Sequence, residues 1–175
     1  MKRLYVVSDT NIFLDLLSID LLAAFFSLTF DFHTTDFVIA EIKEKHQQKL
    51  IAKYIENGKL FIKKFDSEET GELISFFSNY SNKISIQDCS VWHYAKKTNA
   101  RLLTGDLRLR KLIEQENAVQ VSGIIFLFDE MIKQKIITKK YACTKLIELM
   151  GINPRLPNSI CNEKIELWRS KDEND

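Results

Sequence analysis

The 175-residue chain has the size of one domain, and its 45% apolar content with twelve Phe suffices for one core. Twenty-five basic residues against twenty-four acidic ones leave a formal charge of +1. This excludes a global field that would draw the protein to polyanions or to anionic membrane, so any such binding must be local.

The three cysteines, Cys89, Cys143 and Cys161, are far apart and lack CxxC spacing, which argues against a disulfide framework and against a zinc site. MKRLYVV begins like a basic signal segment, but Ser8 and Asp9 cut its apolar run short. LLAAFF, at 21–26, is too short to span a bilayer. A soluble, cytoplasmic protein with no membrane contact is expected.

Short β-type runs alternate with longer helical ones. The expected strands are LYVV (4–7), FHTT (32–35), LFIKKF (60–65), RLLT (101–104) and VQV (119–121). The first is followed by the helix IFLDLL and, after a break near Ser18, by DLLAAFFSL. The second leads into one long helix, FVIAEIKEKHQQKLIAKYIENG, on which Val38, Ile42, Leu50 and Tyr54 share a face and Gly58 is the C-cap. Further helices are read in EETGELISFFSNY, IQDCSVWHYAKKTN and LRLRKLIEQEN. Parallel neighbours need crossover connections, so this alternation predicts an α/β class with a parallel sheet and helices on both faces. After Val121 the strands stop. SGIIFLFDEMIKQK, TKKYACTKLIELMG and NEKIELWRS read as a helical extension from 122 onward on the same domain, with SKDEND fraying at the end.

Open parallel sheets bind ligands outside the carboxyl ends of their strands. Asp9, Glu41, Asp88 and Asp106 all lie at or just beyond such junctions, as do Asp36 and Asp66. Each has a structural alternative. Asp9 and Asp106 read equally as N-caps, Glu41 as an exposed helix residue, and Asp88 as the N3 partner of Ser85 in a capping box. Periodicity alone does not choose among the six.

SDTNIFLDLL, then FVIAEI, then QDCSVWHYAKKTNARLLTGDLRLRK resemble, in order and spacing, the successive motifs of the PIN domain, a family of small metal-dependent nucleases. The resemblance covers roughly the first 121 residues and implies a three-layer α/β/α fold with a central parallel sheet. It places the family's four acidic positions at Asp9, Glu41, Asp88 and Asp106, as catalytic and metal-binding residues, with Asn11 and Thr104 as supporting polar groups. Two carboxylates about 5 Å apart repel by roughly 3 kcal/mol at an effective dielectric near 20, so four in one cleft need a counter-charge. An all-oxygen donor set favours Mg²⁺ or Mn²⁺. Asp9 and Asp106 are expected as inner ligands, Glu41 and Asp88 as ligands through water or as groups that orient an attacking water, around one cation or two. The implied reaction is hydrolysis of RNA that leaves a 5′-phosphate and a 3′-hydroxyl.

The tail, SGIIFLFDEMIKQKIITKKYACTKLIELMGINPRLPNS, resembles the C-terminal helices of a bacterial PIN subgroup from toxin-antitoxin operons. That implies a VapC-like toxin ribonuclease whose partners are RNA, a small antitoxin protein and, as is common in the family, a second copy of itself. An RNA-processing nuclease without antitoxin and a catalytically silent binding module are the alternatives. Arg108, Arg110 and Lys111 follow TGD directly and read equally as phosphate contacts or as a solvated helix face. Lys43, Lys45, Lys49 and Lys53 read as a solvated stripe. His33, His46 and His93 lack metal-ligand spacing, and Trp92 and Tyr94 read as core.

Overall fold

Among the described residues five short strands pair in parallel: β1 (Tyr5–Ser8), β2 (Asp31–Thr35), β3 (Leu60–Lys63), β4 (Arg101–Leu103) and β5 (Val121–Ser122), in the order β3-β2-β1-β4-β5. The computed structural model describes residues 5–117 and 119–170, with no account of the side chains of Tyr5, Val6 and Val7. Leu4, expected in the first strand, and Lys171–Asp175 of the expected frayed end lie outside the described residues. Pairing runs outward from β1 on both sides, with Val7 opposite His33 of β2 and Ser8 opposite Leu103 of β4. The chain therefore winds to one side of β1 through β2 and β3 and then crosses to the other through β4 and β5. The point of reversal is the crevice at the carboxyl ends of β1 and β4, where open α/β sheets place ligands.

Ten helices are seen among the described residues, and local chemistry explains several of their ends. α1 (Thr10–Ser18) closes through Asp20, at φ 55, with the Leu21 N–H returning 2.9 Å to the Leu16 carbonyl. The expected helix DLLAAFFSL shrinks to the single turn α2 (Leu22–Phe25), because the chain turns at Phe26 to Leu28. The long helix expected after β2 is two: α3 (Asp36–Glu41) and α4 (Lys45–Glu56). Ile42 leaves the helix with ψ 103 and is buried, and the carbonyls freed by the break are taken up by side chains. Lys43 Nζ donates to Ala40 O at 2.7 Å and Gln48 Nε2 to Ile42 O at 2.6 Å. Ile51, not Leu50, is the buried residue of α4. Lys43, Lys45, Lys49 and Lys53 are all exposed.

α4 ends in a Schellman motif: the Gly58 N–H reaches Ile55 O and the Lys59 N–H reaches Tyr54 O, with Gly58 at φ +66. α5 (Ser67–Ser78) starts at a capping box between Asp66 and Glu69, and α6 (Ile86–Thr98) at one between Ser85 and Asp88. α6 contacts β1, β2 and β4 and leads directly into β4 through Asn99, at φ 51. It runs back against the strand direction, so its first turn lies at the carboxyl edge of the sheet. α7 (Leu107–Glu116) follows β4. The expected strand VQV is ordered as β5 only from Val121, yet Gln120 O still accepts the Leu102 N–H at 2.8 Å.

The chain divides into two compact units: residues up to Phe13 with Thr29–Gly123, and Leu14–Leu28 with the chain from Ile124 onward. The first helix of the tail begins at Ile124. In the second unit α2 contacts α8 (Ile124–Lys133), α8 contacts α9 (Lys139–Ile152), and α9 packs against α10 (Asn158–Ser170). Helices with one apolar face need apolar partners, and the buried Leu22 and Phe25 of α2 supply one. Asp129 anchors α10 by accepting from Lys164 Nζ at 2.5 Å and from Trp168 Nε1 at 3.1 Å. Asn153 Nδ2 donates to Asp15 at 3.0 Å.

Two glycines give opposite expectations. Gly58→Ala forces a Cβ into left-handed backbone with no new contact to offset it, and should destabilise by about 1 kcal/mol. Gly71→Ala lies on an exposed position inside α5 with open space around it, and should stabilise by about 0.5–1 kcal/mol. Denaturant melts of the two variants beside the parent check both signs.

Candidate active site

The carboxyl edge is built from side chains that cap helices and tie strands at once. The Asp9 N–H continues the β1–β4 ladder to Leu103 O at 3.1 Å, so its carboxylate emerges where the two strands part. It is 3% exposed. Its Oδ1 accepts the Ile12 N–H at 3.2 Å, which caps α1, and its Oδ2 accepts from the Thr104 hydroxyl. The Thr104 oxygen in turn accepts the Asp106 N–H at 3.0 Å. Nearby, Thr34 Oγ1 donates to Ser8 O at 2.8 Å, and the hydroxyls of Thr35 and Ser90 lie 2.7 Å apart, joining the end of β2 to α6. The polar groups of SDTN after the first strand thus serve both cap and crevice.

Asp9, Glu41, Asp88 and Asp106 line one cleft of about 270 Å³, together with Thr10, Asn11 and Ser85. They arrive from four segments: the end of β1, the last residue of α3, the first turn of α6, and the N-cap of α7. Glu41 is exposed and held by the Thr10 hydroxyl at 2.5 Å, a contact that nothing in the sequence signals. Asp88 accepts from the Ser85 N–H and hydroxyl through Oδ2, and Asp106 accepts the Arg108 and Leu109 N–H groups through Oδ1. Capping and convergence therefore coexist. The second oxygens of Glu41, Asp88 and Asp106 have no hydrogen bond among the described residues and remain available to a cation or to water.

Asp36 and Asp66, the other two junction acids, do not line the cleft; Asp36 opens α3 and Asp66 caps α5. The three histidines do not line it either. His33 Nδ1 pairs with the Tyr94 hydroxyl at 2.8 Å, and His93 stands 3.7 Å from Glu72 and packs on Phe76. Trp92 is buried. Of the basic residues after TGD, Arg108 reaches a groove beside the cleft, Arg110 lies over Gly123, and Lys111 is exposed away from both. Cys89, next to Asp88, has its thiol pushed up to about 12 by burial and by the Asp88 charge, which makes it a poor nucleophile.

The electrostatics favour a cation. Burial, reinforced by the charge of Asp88, raises the Asp9 carboxyl from 3.8 to about 7 against the lowering pull of Thr104 and Ile12. Asp88 is likewise raised, by burial first and then by Asp106 and Glu41. Among the described residues no three acidic, histidine or cysteine side chains stand close enough together to hold a metal ion by themselves. Each carboxylate is pinned by its cap or its hydroxyl partner. An open, all-oxygen cleft of this kind suits a hard cation that keeps several of its waters.

The sign of the pH effect follows from the folded protein binding the Asp9 proton more tightly than the unfolded chain does. The metal-free protein should lose stability as pH rises from about 4 to about 7, by a few kcal/mol at most. His33 and His93, whose folded forms are held neutral by burial, work in the opposite direction. The comparison with Asp9→Asn isolates the carboxylate: its metal-free melting temperature should fall less than the parent's between pH 5 and pH 8. Added Mg²⁺ or Mn²⁺ should raise the parent's melting temperature more at pH 8 than at pH 5.

Residues 5–170 match the model of a family described as PIN domain. No curated protein matches the chain. The matched span carries every described strand and all four carboxylates of the cleft. The chain belongs to the PIN domain family, whose members are generally nucleases that use divalent metals.

Proposed function

We propose that the protein is a divalent-metal-dependent endoribonuclease of the VapC-like toxin type, with Asp9, Glu41, Asp88 and Asp106 as its catalytic and metal-binding residues. The observation that carries the reading is the meeting of four carboxylates, from segments nearly a hundred residues apart, in one cleft at the topological switch point. The family's three-layer α/β/α arrangement is part of the same proposal.

Mg²⁺ or Mn²⁺, when bound, offsets the mutual repulsion of the acids and polarises a non-bridging phosphodiester oxygen. The chain's own groups do the rest. Asp9 and Asp106 would hold the cation, with Thr104 fixing both: its hydroxyl donates to Asp9 and its oxygen accepts the Asp106 N–H. Glu41, steadied by Thr10, and Asp88 orient a water on phosphorus and accept its proton; the raised affinity of Asp88 for a proton suits it to that task. The new O–P bond forms as the P–O3′ bond breaks, and O3′ leaves as a hydroxyl after protonation from solvent, so the products carry a 5′-phosphate and a 3′-hydroxyl. Asn11 lines the same cleft as a polar support.

The toxin assignment is supported by the resemblance of the helical tail, and with it come a small antitoxin as partner, a homodimer and a cytoplasmic location. No helix among the described residues is long and apolar enough to cross a membrane.

Asn caps a helix about as well as Asp but loses the full charge. Asp9→Asn and Asp106→Asn should fold, melt no lower than the parent at pH 8, and lose at least about a hundredfold in RNA cleavage with Mg²⁺ or Mn²⁺. Cleavage retained in both would remove the assignment. Expression alone in a bacterial host should arrest growth with the parent and not with Asp9→Asn. Indifference to an active parent would instead favour an RNA-processing enzyme without antitoxin.

A further inference from the structure

Beside the acidic cleft lies a second concavity of about 330 Å³ that shares the wall formed by Ser85, Asp88 and Asp106. Its far side is different in character, being lined by Ser81, Asn82, Lys83 and Arg108. The two cations come from unrelated segments. Lys83 belongs to the α5–α6 connection and Arg108 to the first turn of α7. Both side chains are exposed, and neither is in an ion pair among the described residues.

The backbone beneath each is fixed. Tyr80 packs on Trp92 with ring centroids 4.8 Å apart and accepts N–H bonds from Lys83 at 2.8 Å and Ile84 at 3.1 Å. Ile84 is itself buried, so the connection is anchored at both ends and presents Ser81 to Lys83 outward. The Arg108 N–H is held by Asp106 Oδ1 at 2.6 Å. A pair of cations carried on anchored backbone next to a cluster of carboxylates is the arrangement a polyanion needs if one of its charges meets a metal and the next meets the protein directly. No aromatic side chain lines the groove, so it offers hydroxyl, amide and cationic contacts to a sugar–phosphate chain and no stacking platform for a base.

We propose that this groove seats the phosphodiester adjacent to the scissile one and grips single-stranded RNA by its backbone, with Lys83 and Arg108 as the counter-charges. The proposal rests on the nuclease reading above for the word scissile, while the groove's affinity for the backbone stands on its own residues. Lys83, Ser81 and Asn82 precede the acidic helix in sequence, and only the fold sets them across from Arg108.

The test reads binding apart from cleavage. Fluorescence anisotropy with a labelled short single-stranded RNA is measured on the Asp9→Asn protein in Mg²⁺, and on the same protein carrying Lys83→Gln or Arg108→Gln. Each added substitution should weaken binding about three- to tenfold and lower the slope of log affinity against log salt by about 0.7, equally for uridine and adenosine homopolymers. Lys83→Arg should restore the parent affinity. Unchanged affinity and slope in both double variants, a loss confined to one base, or no RNA binding by the Asp9→Asn protein would each overturn the proposal. Cleavage by the unaltered protein is scored separately. If it cleaves RNA while the double variants bind normally, the groove fails and the nuclease stands; if it does not cleave while they bind weakly, the nuclease fails and the groove stands.

Discussion

The structure turns on one unfavourable act, the burial of a carboxylate at the end of the central strand. Asp9 sits where β1 and β4 diverge, almost without solvent, and its charge is tolerable only with help. Two neutral donors, the Thr104 hydroxyl and the Ile12 N–H, supply part of that help, and their pull is smaller than the penalty of burial. A bound cation would relieve the remaining strain, and on the function proposed above that is what the cleft is for.

The remaining features of the carboxyl edge follow from the need to bring further acids to that point without unfolding the sheet. Parallel pairing forces each strand end to turn into a helix, and each turn requires a capping group. Asp106 and Asp88 therefore meet a capping need even before chemistry is considered, and each commits a single oxygen to its cap. Glu41 differs: it stands at the C-terminal end of a six-residue helix, where the helix dipole repels an anion, and the Thr10 hydroxyl holds it. The break between α3 and α4 is what leaves this residue at a helix end.

Much of this was legible in the chain and some was not, for identifiable reasons. The strand runs and most helices are marked by local pattern and punctuation, such as the Gly58 turn and the Ser85–Asp88 box. Local signals fail at Ile42 to Glu44, where no Gly, Pro or capping side chain announces the break; burial of Ile42 and two side-chain bonds to freed carbonyls drive it. They fail again for Leu14–Leu28, whose apolar residues belong to the unit containing the tail helices, a long-range preference that periodicity does not express. At the site, the acid types and their junction positions are readable, whereas cap and ligand could not be told apart because one side chain does both. The Thr10–Glu41 bond and the groove at Lys83 depend on segments meeting across the fold.

The bond between Thr104 and Asp9 spans ninety-five positions of the chain, and it ties the first strand to the fourth. Early in synthesis a ribosome carries the opening strand and its lone acid, but none of the partners that complete the crevice. A nascent chain that has not yet reached Asp106 cannot complete the crevice, so the catalytic arrangement proposed for this protein is silent until the turn after the fourth strand has been made. During that interval the chain is present and the proposed activity is not.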